Sequence, residues 1–150
     1  MKLSKLKKEE VEEAGKLLVS YWKSRDMPEY NLNWAKDYLI KGHNKETIKD
    51  EFFTFREKGK LMGFASLITN VSKIAEIRDE ITIKDDKNLY LKRILKELLK
   101  LAKLRKLRKL YSLVLPKNLG VYKSLAFKKE GILKDHFKDG EDFIIMSKMI

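Results

Sequence analysis

Apolar residues along this chain of 150 residues follow two rhythms, one of three and four and one of two. Steps of three and four put side chains on one helix face, and steps of two put them on one strand face. From Met1 to Lys7, Leu3 and Leu6 stand among lysines and serine, a weak edge strand. Val11, Ala14, Leu17, Leu18, Tyr21 and Trp22 then predict a helix over Lys8–Lys23, with Glu9, Glu10, Glu12 and Glu13 near its start, where acids complement the helix dipole. Arg25–Asn33 reads as a loop, and Trp34, Tyr38 and Leu39 as a shorter helix ending near Gly42; Lys45–Lys49 has no clear pattern. From Glu51 the rhythm is extended: Phe52 to Arg56 is apolar on both faces, the EKGK turn follows with Gly59, and Leu61–Val71 returns as a hairpin partner. Ile74–Ile83 is a third strand, with Ile77, Ile81 and Ile83 alternating with Arg78, Glu80 and Thr82.

The next stretch, Asp85 to Leu110, is a turn, DDKNLY, followed by a leucine-rich basic run. Leu91, Ile94, Leu95, Leu98, Leu101 and Ala102 form one face of an amphipathic helix, and lysines and Arg93 hold the other. Tyr111–Leu115 is a short buried strand; Asn118 can cap a helix through Tyr122 and Leu125; and Lys128–Ile150 is two strands around Lys138, Asp139 and Gly140. The order is a strand, two helices, three strands, a helix, a strand, a helix and two strands. That predicts one α/β domain over residues 1–150, a mixed, mostly antiparallel central sheet flanked by helices.

Composition narrows the chemistry. Without cysteine, disulfides, thiolate nucleophiles and cysteine zinc sites are excluded, and His43 and His136 stand too far apart in sequence to suggest a metal cluster. No metal is therefore expected. No apolar run reaches the roughly 20 residues a membrane span requires, so the expectation is a soluble, cytoplasmic protein with no membrane partner. The net charge of +12 attracts nucleic acid, acidic protein surfaces or phosphorylated cofactors without choosing among them. The basic helix face has two readings, a solvated surface or a contact for an anionic partner.

Two stretches carry a resemblance. VYKSLAFKKEGILKDHFKDGEDFIIMSKMI places Tyr122 before a Leu-Ala-Phe turn, then Lys-Lys-Glu-Gly, a charged hairpin and a final strand; KGKLMGFASL places Gly63 inside a strand after a hairpin. These, about 40 residues together, resemble the end and the central hairpin of the GNAT superfamily of acyl-CoA-dependent N-acyltransferases. The element order extends the resemblance to most of the chain. It implies a GNAT-like fold, acetyl-CoA as cosubstrate and an amine as acceptor. A homodimer is also compatible with it.

By the same resemblance Tyr122 corresponds to the general acid that protonates the departing coenzyme A thiolate; its alternative is a packing role. The base corresponds to a carboxylate on the strand before the long helix, where Glu76, Asp79 and Glu80 stand. The main chain of Ile81, Thr82 and Ile83 corresponds to the pantetheine-binding edge of a strand that splays from its neighbour. Asn118 lies nearer Tyr122 than the family's asparagine does. The pyrophosphate turn of the family is Arg or Gln, two residues, Gly, one residue, then Gly or Ala; the matching residues are Lys87, Asn88, Leu89, Tyr90, Leu91 and Lys92, with no glycine. Side chains at Leu89 and Leu91 make close approach of a phosphate to the backbone harder, while the helix dipole and the cations Lys87, Lys92 and Arg93 still favour one. Ala126 stands where the family has Gly.

Two functions follow from these residues. One is an acetyl-CoA-dependent N-acetyltransferase working by direct attack of the amine. The other, motivated by the missing glycines, is a GNAT-like module that has lost acyl-CoA and binds a protein or nucleic-acid partner.

Overall fold

The computed structural model describes residues 2–84 and 87–150. Asp85 and Asp86, which open the DDKNLY turn, lie outside the described residues. Seven strands, β1 (Lys2–Lys5), β2 (Ile48–Glu57), β3 (Lys60–Asn70), β4 (Ile74–Thr82), β5 (Lys109–Val114), β6 (Lys128–Leu133) and β7 (Phe143–Met149), form one sheet in the order β1-β2-β3-β4-β5-β7-β6. Only β4 and β5 pair in parallel; the other pairs are antiparallel. Helices α1 (Val11–Ser24) and α2 (Leu32–Lys41) cover one face, and α3 (Leu89–Leu104) and α4 (Leu119–Ser124) the other.

The doubly apolar hairpin has the consequence expected of it: Phe52 and Phe64 pack under α1 and α2, whereas Phe53, Phe55, Ala65 and Leu67 pack under α3. At Gly63 the Ile94 side chain of α3 packs directly on the β3 backbone. A Cβ there would lie 2.5 Å from Ile94 Cδ1 and 2.9 Å from the Ile81 carbonyl oxygen.

Several expectations are corrected. α2 begins at Leu32 because the Asn31 side chain accepts from the Trp34 amide at 3.0 Å, a cap within the presumed loop. α3 ends at Leu104, where the apolar face runs out: Leu104 is exposed, Lys106 turns left-handed (φ 54°), and Leu107 donates back to the Ala102 carbonyl. Arg105–Arg108 form the turn, and β5 begins at Lys109, with Leu110 and Val114 facing the core. Asn118 caps nothing through its side chain; Pro116–Asn118 form a 3-10 turn that leads directly into α4. The basic face of α3 is in part ion-paired, Arg93 with Glu57 and Lys100 with Glu97, and Arg105 just past its end pairs with Glu51.

Candidate functional site

β4 and β5 run together only from Ile74–Ile77 against Lys109–Ser112. Among the described residues, β4 has no strand partner on that side from Arg78 onward, because β5 continues with β7 while β4 stays with β3. Where they part, a cleft of about 730 Å³ opens, and Glu76 to Lys84 run along it. Tyr21, Trp22 and Arg25 from the end of α1 border it, as do Asn88, Leu91, Leu113, Leu115, Lys117 and Asn118, and His136, Phe137 and Phe143 from the β6–β7 end.

A bulge in β4 aims the carboxylates. Phe64 pairs with Ile81 and Ser66 with Arg78, so two steps of β3 stand opposite three of β4, and Asp79 takes φ 53°. Aspartate tolerates this left-handed conformation better than most residues. The extra residue reverses the alternation beyond it. Ile77 packs under α3, Ile81 under α1 and α2, and Glu80 joins the side of Ile77. The expectation that Ile77 and Ile81 share a face is thereby overturned.

Each of three β4 carboxylates accepts from a tyrosine of a different element. Tyr111 of β5 donates to Glu76 Oε2 at 3.2 Å, Tyr38 of α2 to Asp79 Oδ2 at 2.7 Å, and Tyr122 of α4 to Glu80 Oε1 at 2.8 Å. Glu76 is further held by Arg78, whose Nε and Nη2 reach its two oxygens at 3.1 and 2.9 Å. This engages both its oxygens and sets it apart from the other two as a base. Glu80 also accepts from Ser112 Oγ at 3.3 Å. Burial raises the Glu80 carboxyl from an ordinary 4.5 to about 7; the Tyr122 and Ser112 hydrogen bonds pull it down, and the charge of Asp79 pushes it up. Burial raises Asp79 too, against the Tyr38 hydrogen bond. Tyr122 is fully buried, and that burial, with the Glu80 charge, holds its hydroxyl well above its ordinary value.

α4 is fixed by its ending. Phe127 donates to the Tyr122 carbonyl and Ala126 to that of Lys123, the paired bonds of a Schellman turn, and the Tyr122 and Phe127 rings meet edge to face at 5.1 Å. Ala126 adopts φ 62°, so the turn persists with a residue that pays a steric cost where glycine would not.

The remaining wall is aromatic. Trp22 lies against Tyr30 (4.7 Å between centroids) and Phe137 (5.1 Å), and Tyr30 continues through Trp34 to Tyr38. Arg25 pairs with Glu141 of the β6–β7 loop, and its guanidinium lies 5.5 to 6.0 Å from the Tyr21, Trp22 and Phe137 ring centres. Burial raises the Tyr21 hydroxyl to about 12.

The sequence matches no protein-family model and no curated protein. Solved structures do superpose on it. The dodecameric spermidine N-acetyltransferase from Vibrio cholerae matches 99% of this chain and 92% of its own, with a TM-score of 0.77 at 19% identity. A chimera of that enzyme with hSSAT gives 0.80 at 18% identity, covering 99% and 96%. The aminoglycoside 6'-N-acetyltransferase from Enterococcus faecium gives 0.72 at 16% identity, covering 99% and 97%. This chain has the GNAT fold.

Against the GNAT resemblance, the residues expected at the site divide into two groups. Glu76, Glu80, Ile81, Thr82, Ile83, Asn88, Leu91 and Asn118 border the cleft; Leu89, Tyr90, Lys92, Arg93 and Tyr122 do not. Tyr122 stands one hydrogen bond behind Glu80, and Arg93 is turned to Glu57. Counted along the GNAT pyrophosphate pattern, the two small-residue places fall on Tyr90 and Lys92, not on Leu89 and Leu91. Leu91 is buried in the core and Leu89 points outward. Asn88 takes φ 53°, a conformation asparagine adopts more readily than most, so the chain turns into α3 without glycine. Sequence reasoning missed Tyr38, Tyr111, Trp22 and Arg25; the only signal was the density of aromatics in residues 21–38.

Proposed function

We propose that this protein is an N-acetyltransferase that moves an acetyl group from acetyl-CoA to an amine. The observation that carries the reading is Glu80, a carboxylate poised near neutrality on the floor of the β4–β5 cleft, with the buried hydroxyl of Tyr122 bonded to it. A general base works best with a pKa near the operating pH. Asp79, one residue away and also on the cleft, adds negative charge that favours a cationic amine despite the chain's overall +12.

The cleft suits the cosubstrate in part. The unpaired edge of β4 from Arg78 to Thr82 offers main-chain groups to an extended amide-bearing arm, and Lys84 and Lys117 border the same space. At the start of α3, Tyr90 and Lys92 replace the small residues of the family pattern, so lysine side chains rather than bare backbone would carry more of the phosphate contact. Bound there, acetyl-CoA supplies an activated thioester.

Glu80 takes a proton from the acceptor ammonium, freeing the amine for direct attack. Protonation removes the Glu80 charge, which after burial is the largest cause holding the Tyr122 hydroxyl high. Glu80, which borders the cleft where Tyr122 does not, then passes that proton to the leaving sulfur, and the Tyr122 hydroxyl bonded behind it stabilises the carboxylate that is regenerated. The acid role that the resemblance gives Tyr122 is thus exercised through Glu80. The ammonium's second proton leaves to solvent, which balances formation of the amide and the free thiol.

Titration of acetyl-CoA into the protein by calorimetry tests this directly. Saturable binding is expected. Its absence up to about 1 mM, the upper end of ordinary KM values, removes the acetyltransferase reading and leaves the non-catalytic module.

A further inference from the structure

The end of the cleft bordered by α1 contains two buried hydrogen-bond donors with no acceptor among the described residues: the indole Nε1 of Trp22 and Nε of Arg25. Both side chains border the cleft. The Trp22 ring cannot easily turn to find a partner, because Tyr30 and Phe137 pack on it. The Arg25 side chain is 9% exposed and tied through Nη2 to Glu141, with its guanidinium close to three aromatic rings, so its Nε direction is fixed as well. Leaving a buried N–H unpaired is costly, and native structures rarely tolerate two side by side. The Arg25 guanidinium carbon lies 6.0 Å from the Trp22 ring centre, so the two donor-bearing groups are neighbours.

We infer that the acceptor is an amine that also carries an uncharged carbonyl oxygen, an amino amide, whose oxygen accepts from Trp22 Nε1 and Arg25 Nε. This rests on the acetyltransfer reading for the role of the cleft. Charge selects the neutral carbonyl over a carboxylate. Glu141 already balances Arg25, and Arg78 balances Glu76; Asp79 and Glu80 line the same cleft, as do Lys84 and Lys117. With Arg25 already neutralised, a carboxylate beside these donors would bring a charge that has no free countercharge there among the described residues, whereas a carbonyl dipole satisfies both donors without adding charge. The ammonium end of the same molecule is drawn to Asp79 and Glu80.

The test is a ligand titration followed by 1H–15N NMR and calorimetry, with amino amides of graded chain length set against alkylamines and amino carboxylates of equal length. Binding of the matching amide should move the Trp22 indole and Arg25 Nε–H resonances and be about tenfold or more tighter than that of the alkylamine. Trp22→Phe, which keeps an aromatic ring for the Tyr30 and Phe137 contacts, and Arg25→Lys, which keeps a cation beside Glu141, should each lower that affinity ratio toward one. Equal affinities with unmoved resonances mean that water alone serves the donors, and overturn the inference. Tighter binding of the carboxylates overturns it too. Amides that bind as expected but receive no acetyl group leave the subsite standing and sink the acetyltransfer reading; acetylation of all amines alike does the reverse.

Discussion

Replacing Tyr122 with phenylalanine removes one hydroxyl and keeps the ring that packs on Phe127. The hydroxyl donates to Glu80 Oε1 at 2.8 Å, and this bond opposes the burial that lifts Glu80 to about 7. A hydrogen bond to a charged group contributes about 1.5–3 kcal/mol. Its loss raises the carboxyl by about 1–2 pH units, since the Ser112 bond at 3.3 Å remains but is longer. The base acts when deprotonated, so activity rises as pH passes the Glu80 pKa. In the wild type the rising limb of kcat/KM should have its midpoint near 7; in Tyr122→Phe it should move alkaline by that amount, with turnover lower even on the plateau and acetyl-CoA affinity nearly unchanged. The assay is thiol release across a pH series, with an acceptor whose own titration lies well outside the range. A uniform fall in rate with the midpoint unmoved would show that Tyr122 only packs, and its support of the Glu80 carboxylate would be wrong.

Glu80→Gln should abolish turnover while preserving acetyl-CoA binding. It should also change the pH dependence of stability: a carboxyl raised on folding contributes fully below its unfolded value of 4.5 and loses that contribution as pH climbs through about 7. The wild type should therefore lose roughly 3 kcal/mol between those limits from this group, and the variant should lack that part of the decline in thermal melts. Ala126→Gly relieves the left-handed strain at the end of α4. It should stabilise the protein by about 0.5–1 kcal/mol, a rise in Tm of about 1–4 °C, and an unchanged or lower Tm would mean that the turn already accommodates alanine without strain.

The layered architecture was legible because it depends on local rhythm. The β2–β3 phenylalanines announced a strand buried on both sides, and the leucines of α3 announced a single packed face. The bulge at Asp79 was not legible, since a strand pattern read at strict period two has no place for an inserted residue. It therefore put Ile77 and Ile81 on one face. The tyrosine–carboxylate pairs span 35 to 42 positions in sequence. No spacing rule reaches that far; they follow from sheet order and helix placement. Tyr122 was found through the Leu-Ala-Phe turn beside it, a local signal, whereas Tyr38 and Tyr111 have no such marker. The end of α3 was misplaced because lysine and leucine continue unchanged into β5, where the burial alternates along a strand.

The bulge in β4 has a consequence for how the site is kept intact. The same inserted residue turns Glu80 toward Tyr122 and sends Ile81 into the packing of α1 and α2. A chain that slipped this register would misplace the carboxylate and at the same time pull an isoleucine out of one hydrophobic layer. Mis-pairing is thus penalised by lost burial before any chemistry is attempted, and folding itself acts as the quality control on the position of Glu80.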